Sequence, residues 1–263
     1  MLLNANIALS SSKALLVPYS SWHVPQYHEW MKDPEIQEAT ASEPLTLEEE
    51  YNMQLSWRTD ADKLTFIVCR PLSTASTTEE EPSQHQLQTE SDGPPNMVGD
   101  INLFLRIDDG EHGNSPPKLL GEIELMIAEK NNQRRGFGRA ALLMFMRYIV
   151  QYQGAILEEF VAGGGVDVET VRKLRTGVEV EANETETATA STLEFDYLSV
   201  KIGKDNVRSL KLFEGLAFEK ASESNFFGEV ELRRRDLSLG SVDGALRKAG
   251  VRGFVALPYE RTE

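Results

Sequence analysis

Apolar runs of strand length recur along the chain, separated by polar segments and by residues that favour turns. These runs are rich in Val, Ile, Leu and Phe, which is typical of buried strands. They comprise residues 14–19, 64–69, 97–107, 119–127 and 195–202. A segment rich in Asp, Gly, Asn and Pro connects the third run to the fourth. This segment predicts an antiparallel hairpin with a long loop.

Other segments place apolar residues at helical spacing. A first helix is predicted within SSWHVPQYHEWMKD, residues 20–33, and a second begins after Thr46, where Glu49 completes a capping box. A third helix, over residues 137–153, is apolar on nearly every side. That pattern predicts a central helix that is buried on most faces. A fourth helix follows Asn206.

The order of these elements indicates the fold class. They read strand, helix, helix, three strands, helix, strand, helix and a final pair of strands. A strand, a long helix and a further strand predict one parallel crossover. We therefore expect an α/β protein with a mixed central β-sheet flanked by helices. The pattern predicts one domain over residues 1–235 and a C-terminal extension over residues 236–263.

Two acidic segments interrupt this pattern. Residues 73–95 contain five acids and no Lys or Arg, residues 157–192 contain eight acids and three basic residues, and each segment contributes a net charge of −5. Because the formal net charge is −15, the rest of the chain is only mildly acidic. The acidity therefore does not identify a partner. Both segments have the composition of flexible, disordered insertions, although residues 168–174 of the second can form a short helix.

Cysteine and histidine usage limits the classes of protein. Cys69 is the single cysteine, which excludes an intramolecular disulfide framework, and the four histidines have no neighbours at zinc-ligand spacing. No uninterrupted apolar run approaches the roughly 20 residues of a membrane-spanning helix. We expect a soluble cytoplasmic or nuclear protein with no metal, no membrane contact and no nucleic-acid partner.

The stretch NNQRRGFGRAALLMFM, residues 131–146, predicts an anion-binding loop. Gly136 and Gly138 precede the long apolar helix, and three arginines accompany them. A helix N-terminus offers unpaired N–H groups and a partial positive charge, and glycine lets an anion approach the backbone. Arginines add donors that suit phosphate groups. The alternative is a surface turn with solvated arginines.

The glycines of this stretch can be matched to three kinds of phosphate-binding loop. A P-loop needs Lys and a hydroxyl residue after its last glycine, whereas Arg139 and Ala140 follow Gly138. A dinucleotide-binding loop should follow its strand directly, whereas an eight-residue gap separates Ile127 from Gly136. The third kind is that of an acetyltransferase family.

QRRGFG, residues 133–138, resembles the Q/R-x-x-G-x-G/A signature of the Gcn5-related N-acetyltransferase (GNAT) superfamily. NVRSLKLFEGLAFEK, residues 206–220, resembles the second landmark of that superfamily, and the two occur in the expected order. The segments around YHEWMKDPEIQEATASEPLTLEEEYNMQLSW, TFIV, VGDINLFL and GEIELMIAE resemble the eukaryotic N-acetyltransferase 9 branch, which is related to bacterial ribosomal-protein N-terminal acetyltransferases. The resemblance covers most of residues 13–235.

The resemblance implies the GNAT fold and direct transfer of acetyl from acetyl-CoA to an amine in a ternary complex. It implies that the loop binds the pyrophosphate of acetyl-CoA. The implied loop residues are Gln133, Arg134, Arg135, Gly136, Phe137, Gly138 and Arg139. It also implies that Met126 and Ile127 offer backbone groups to the pantetheine and the thioester. Asn206 either bridges to the cofactor or caps the helix that follows it.

A glutamate is the candidate proton acceptor. Glu122 lies 11 residues before Gln133, where some histone-acetylating relatives keep a catalytic glutamate. Strand alternation puts Glu122, Glu124 and Met126 on one face, so two carboxylates can raise the pKa of one of them. The alternative is that these carboxylates face solvent or pair with Arg or Lys.

The residue that protonates the leaving thiolate departs from the pattern of many relatives. They use a tyrosine where this sequence has Phe213. Ser209 is then the nearest hydroxyl and is predicted to orient the sulfur.

The acceptor is expected to be a protein or peptide, through its N-terminal α-amine or a lysine. Residues 40–45 and 224–227 are candidates for the acceptor groove. The alternatives are a binding module with little or no activity, an acetyltransferase for small amines and, last, an oxidoreductase that binds nicotinamide.

Overall fold

One β-sheet organises the chain. In the computed structural model, which describes residues 1–72, 87, 89–108, 116–164, 166–176 and 193–260, nine strands form this sheet in the order β7-β8-β6-β5-β4-β3-β2-β1-β9. The strands are β1 (Ile7–Ser10), β2 (Leu15–Pro18), β3 (Lys63–Cys69), β4 (Met97–Asp108), β5 (Lys118–Ile127), β6 (Tyr197–Gly203), β7 (Glu219–Lys220), β8 (Glu229–Arg234) and β9 (Val255–Pro258). The predicted β4–β5 hairpin is confirmed, with ten residue pairs in register.

Seven helices occur in the described residues. They are α1 (Val24–Trp30), α2 (Pro34–Thr40), α3 (Leu47–Thr59), α4 (Phe137–Ala162), α5 (Val168–Thr176), α6 (Val207–Glu214) and α7 (Leu239–Lys248). The predicted capping box is confirmed at the start of α3, where the Thr46 side chain accepts from the Glu49 amide and Glu49 accepts from the Thr46 amide. α5 confirms the short helix predicted inside the second acidic segment.

The two faces of the sheet bury different residues. One face packs on α4, whose residues from Ala140 to Met146 are all fully buried together with Ile123 of β5. The other face packs on α1 and α3 through an aromatic cluster that contains Tyr19, Tyr27 and Trp30. α4 is long and apolar enough to cross a membrane by length and composition, but 67% of its apolar window is buried inside the fold.

The helix α4 extends beyond its predicted end. The prediction ended at Gln153, next to a non-helical residue, Tyr152, with φ −111° and ψ 15°. The chain resumes the helix after this kink and continues to Ala162, because Ile156, Leu157 and Phe160 bury a second apolar stripe. The first six residues of the acidic segment 157–192 therefore belong to the core helix.

The first acidic segment is also structured at its end. Residues Thr89–Asp92 form a 3-10 turn, and the Asp92 carboxylate is buried against the Trp22 indole, the His23 ring and the Tyr259 hydroxyl. Residues 73–86, 88, 165 and 177–192 of the two segments lie outside the described residues. The prediction of flexible insertions over those residues stays a prediction.

The C-terminal extension joins the same core. Val242 and Leu246 of α7 are buried against the cluster around α4, and β9 pairs antiparallel with β1 at the edge of the sheet. The sequence did not predict β1, α2, α7 or β9. Strands of four residues carry too little periodicity to separate them from loops.

Candidate active site

The sheet divides between β5 and β6. These strands pair in parallel only at Leu120–Tyr197, Gly121–Leu198 and Glu122–Ser199. Beyond Glu122, β5 continues beside β4 as far as Ile127, and β6 continues beside β8 as far as Gly203. Residues 123–127 and 200–203 therefore border an opening within the sheet, called the sheet gap below.

Backbone directions along β5 identify which groups face the sheet gap. The Leu119 carbonyl accepts from the Asp196 amide on the β6 side, whereas the Ala128 amide donates to Val98 on the β4 side. Because backbone groups alternate along a strand, Leu125 and Ile127 face the gap. Met126 differs from its prediction, since its carbonyl lies against Gly99 of β4.

The glycine loop forms the start of α4, as the sequence predicted. Gly136 is the N-cap residue, with φ +91°, and no side chain caps the helix. A side chain at Gly136 would meet no atom within 4 Å, so the approach to the free N–H groups of the first turn is open. Gly138 lies inside, where a Cβ would be 3.5 Å from Leu125 and 3.6 Å from Ile127. The loop therefore lies beside the sheet gap, on the face that packs on α4.

The three arginines of the loop are placed differently. Arg134 and Arg135 are exposed, and the Arg135 guanidinium lies over the Phe137 ring at 5.9 Å from its centroid. Arg139 is also exposed but extends toward Gly215 at the end of α6, where helix carbonyls favour a positive charge. Among the described residues, none of the three forms an ion pair. Arg134 and Arg135 are therefore available to an anion at the start of α4.

Gln133 connects the loop to the strand. Its side-chain amide donates to the Ile127 carbonyl at 3.1 Å. This contact holds the loop against the end of β5. It also occupies one of the two backbone groups that the resemblance assigned to the pantetheine.

Glu122 is bound by two cations. Its side chain is 8% exposed and forms ion pairs with Arg106 and, at 3.2 Å, with Lys201. Both cations bind the same carboxylate oxygen, Oε2, and stabilise its negative charge. The structure thus shows the second of the two interpretations of Glu122 from the sequence, in which its carboxylate pairs with Arg and Lys.

Glu124 lies one position nearer the loop on the same face. Glu124 is exposed as a residue, yet the protein around its carboxyl partly desolvates it. This desolvation raises the pKa of Glu124, while the charges of Arg106 and Lys201 oppose the increase. Glu124 therefore has more of the character of a base near neutral pH than Glu122 has.

Sequence reasoning missed Asp100, which faces the same region from β4. Asp100 pairs in register with Met126, and its neighbour Asn102 pairs with Glu124. Its carboxyl is 2% exposed, and burial raises its pKa to about 7. The signal in the sequence was a single acid in the apolar run VGDINLFL, where a buried strand would otherwise carry an apolar residue.

The α6 residues follow the predictions in part. The Asn206 side chain accepts from the Ser209 amide at 3.2 Å and so caps the helix, which leaves its amide NH₂ free to reach a ligand. Phe213 is buried and packs edge-to-face on Phe218. Ser209 is half-buried, one turn before Leu212, whose side chain approaches Gly138. Ser209 is therefore the hydroxyl residue of α6 that lies close to the glycine loop.

The residues present fit a phosphate-bearing cosubstrate. An uncapped helix N-terminus, a glycine in the left-handed region and two arginines without an ion pair among the described residues have the chemistry that a pyrophosphate group requires. The backbone groups of Leu125 and the amide N–H of Ile127, which face the gap, can exchange hydrogen bonds with the amides of the pantetheine arm of acetyl-CoA. Within the described residues, no group of three His, Cys, Asp or Glu side chains could hold a metal ion.

Comparison with known proteins identifies the same family that the sequence of the glycine loop resembles. The family model described as "Acetyltransferase (GNAT) domain" matches residues 13–219. A mouse protein named "Alpha/beta-tubulin-N-acetyltransferase 9" is 38% identical over 233 residues, covering 89% of this chain and 73% of the relative. The human protein of the same name is 37% identical over 234 residues, covering 89% and 85%.

A yeast relative and a solved structure extend the comparison. The "N-acetyltransferase 9-like protein" of Schizosaccharomyces pombe is 34% identical over 249 residues, covering 88% of this chain and 97% of its own. The crystal structure of an acetyltransferase of the GNAT family from Bacillus anthracis matches with a TM-score of 0.51 at 11% identity, covering 88% of this chain and 99% of the other. This likeness concerns the fold.

Proposed function

We propose that the acceptor of this chain is an amine of a protein. The premise is that the chain belongs to the acetyltransferase (GNAT) family and is an acetyl-CoA-dependent N-acetyltransferase. The observation that supports the proposal is the sheet gap, which connects the glycine loop on one face of the sheet to an acidic face on the other. A donor bound on one face and an amine bound on the other can meet without a covalent enzyme intermediate.

The chain's residues supply binding and orientation on the donor side. Arg134, Arg135 and the first turn of α4 bind the pyrophosphate, and Gln133 keeps the loop against Ile127. Backbone N–H groups that face the gap stabilise the negative charge that develops on the thioester carbonyl during attack. Ser209 orients the departing sulfur.

Cys69 does not serve as a nucleophile in this scheme. It is fully buried, and burial raises the pKa of its thiol well above the usual value. A buried neutral thiol is unreactive toward a thioester. Direct attack by the amine is therefore the route that the residues support.

The kind of amine affects how much help the protein must provide. At pH 7, on the order of one lysine in 2,500 is neutral, against roughly one α-amine in eight. An N-terminal α-amine is therefore the easier acceptor, and a lysine requires a stronger base. Relatives from mouse and human carry tubulin in their names, so α- and β-tubulin are the first acceptors to test.

The test offers acetyl-CoA labelled in its acetyl group to four acceptors. These are αβ-tubulin, peptides with only a free α-amine, peptides with only a free lysine, and free spermidine. Transfer to tubulin or to either peptide supports a protein acceptor. Label on spermidine alone would contradict the proposal and favour a small-amine acetyltransferase, and tight acetyl-CoA binding without transfer would favour a binding module.

A further inference from the structure

Three carboxylates lie on the side of the sheet that packs on α1 and α3, opposite α4. Glu50 of α3 is 1% exposed and Asp100 of β4 is 2% exposed, while Glu124 of β5 is an exposed residue. Tyr27 of α1 lies among them. Burial raises the pKa of its hydroxyl, and the charges of all three carboxylates raise it further. The Tyr19 ring lies beside the Tyr27 ring at a tilt of 38°, with 5.2 Å between ring centroids.

Several buried polar atoms in this region have no hydrogen-bond partner among the described residues. Asn102 donates to one oxygen of Asp100 at 2.7 Å, which leaves the other oxygen of Asp100 and the Asn102 carbonyl without a partner. The Thr65 hydroxyl, opposite Asn102 on β3, is also unpartnered. Buried polar atoms are normally satisfied, so these atoms indicate that the region accommodates a further polar group.

The charge that would satisfy the region is positive. Among the described residues, no Lys or Arg forms an ion pair with Asp100 or Glu124, because Arg106 and Lys201 both bind Glu122. The ion-pair partner that the structure describes for Glu50 is the His28 ring, whose Nδ1 lies 3.8 Å from Oε1. Buried carboxylates without a cation are costly, and a primary ammonium group would offset that cost with three donors.

The position of the pair suits the reaction. Asp100 lies beside Met126 in register, and Glu124 lies beside Asn102. Glu124 directly precedes Leu125, and Met126, opposite Asp100, lies between Leu125 and Ile127, whose backbone groups face the sheet gap. An ammonium held there would lie across the gap from the glycine loop.

We propose that Asp100 and Glu124 together bind the primary ammonium of the acceptor and take one proton from it, with Asn102 holding Asp100 in place. The inference rests on the proposed function and deepens it, because it assigns the acceptor's charged group to named residues. It also moves the role of proton acceptor from Glu122 to a pair that includes a residue on the neighbouring strand.

The proton balance is as follows. The ammonium transfers one proton to the carboxylate pair, and the neutral amine attacks the thioester carbonyl, forming a C–N bond. The C–S bond then breaks, and the second amine proton goes to the leaving sulfur. The pair finally releases its proton to solvent, so the products are an amide, free CoA and one proton.

The electrostatic surroundings support this role. Burial raises the pKa of Asp100 to about 7, and the charge of Glu124 contributes while the Asn102 hydrogen bond opposes it. The other ionisable groups around the pair are Tyr19, Tyr27, His28, Glu50, Arg106, Lys201 and Glu229 of β8, whose charge also raises the pKa of Glu124. A base with a pKa near the working pH is the most effective in proton transfer.

The test measures kcat/KM against pH for the wild type and Asp100→Asn, with saturating acetyl-CoA and the best peptide acceptor. In the wild type, kcat/KM should rise with pH through a midpoint near pH 7 and level off above it. In Asp100→Asn it should fall about 100-fold or more at pH 7 and recover as the pH passes the pKa of the acceptor amine in solution, about 8 for an α-amine and about 10.4 for a lysine. Calorimetry should show unchanged acetyl-CoA affinity, because the loop lies on the other face of the sheet.

Asp92→Asn is the matched control. It removes another buried carboxylate, which binds Trp22 and Tyr259 outside the proposed site, so it should lower stability without moving the pH profile. Asp100→Asn should fold, because its wild-type carboxyl is costly to bury when ionised. Unchanged kcat/KM and pH dependence in Asp100→Asn would overturn this inference alone. A wild type that binds acetyl-CoA but acetylates no amine would overturn the proposed function and the inference with it.

Discussion

Glu122 and Arg106 form an ion pair across β4 and β5, and Lys201 of β6 adds a second cation at 3.2 Å from the same carboxylate. The three residues connect three strands at the last point where β5 and β6 still pair. A group in this position stabilises the point where the sheet divides. From these ion pairs we expect Glu122 to stabilise the sheet rather than to accept a proton.

Replacement of Glu122 by Gln should lower stability and leave the pH profile of catalysis in place. Removing one partner of a fully buried pair costs about 3–5 kcal/mol, but Arg106 and Lys201 are 47% and 36% exposed. We therefore expect a loss of about 1–2 kcal/mol in the free energy of unfolding, measured by urea denaturation. Glu231→Gln, which removes the partner of Arg233 on the same sheet, is the control and should cost less. Loss of the acidic limb of kcat/KM in a stable Glu122→Gln protein would restore Glu122 as the base.

Replacement of Gly136 by Ala should weaken acetyl-CoA binding. Its φ of +91° is unfavourable for residues with a Cβ, so the loop must change or accept strain of about 1–2 kcal/mol. Gly250→Ala is the matched control. Gly250 also has a positive φ, +66°, but it follows the end of α7, far along the chain from the loop. Both variants should lose similar stability in thermal unfolding, and only Gly136→Ala should lose affinity. Equal affinities for the two variants would argue against the loop as the donor site.

Introduction of a tyrosine at position 213 should not accelerate the reaction. Phe213 is 3% exposed and packs on Phe218 with 5.0 Å between ring centroids, so a new hydroxyl would be buried without a partner. Such a group costs about 1–3 kcal/mol. Denaturation and single-turnover kinetics of Phe213→Tyr should therefore show lower stability and no gain in kcat. A faster variant would mean that the residue faces the reacting sulfur.

Removal of the Tyr259 hydroxyl should destabilise the fold without affecting the donor site. This hydroxyl donates to the buried Asp92 carboxylate at 2.5 Å, which also contacts the Trp22 indole. A hydrogen bond to a charged group contributes about 1.5–3 kcal/mol. Tyr259→Phe should lose that amount in urea denaturation, while Tyr51→Phe, at a residue that is 38% exposed, should change by less than about 0.5 kcal/mol. A Tyr259→Phe protein as stable as Tyr51→Phe would show that the contact is dispensable.

The sequence predicted the parts of the molecule that local patterns encode. The β4–β5 hairpin, the capping box at Thr46 and Glu49, and the glycine loop before α4 each depend on neighbouring residues, and the structure has all three. The prediction for α4 ended at the kink near Tyr152, because the apolar pattern is interrupted there. Local signals therefore located the donor side of the candidate site.

The rest depends on contacts between distant segments. Asp100 lies beside Met126 only because two strands pair in one register, and β1 pairs with β9 from the other end of the chain. Which way the Met126 carbonyl points also depends on that pairing. The sequence pattern placed Glu122, Glu124 and Met126 on one face but could not show that Arg106 and Lys201 bind Glu122.

The central claim is that the loop at the start of α4 binds acetyl-CoA, and calorimetric titration tests it most directly. The wild type, Arg135→Glu and the distant control Arg252→Glu are titrated with acetyl-CoA, and the wild type also with NADH. Because Arg135 is exposed beside the uncapped helix start, its charge reversal should reduce acetyl-CoA affinity by about tenfold or more. Arg252→Glu should bind like the wild type, and NADH should not bind. Equal affinity of Arg135→Glu and the wild type, or no acetyl-CoA binding by folded wild-type protein, would contradict the account.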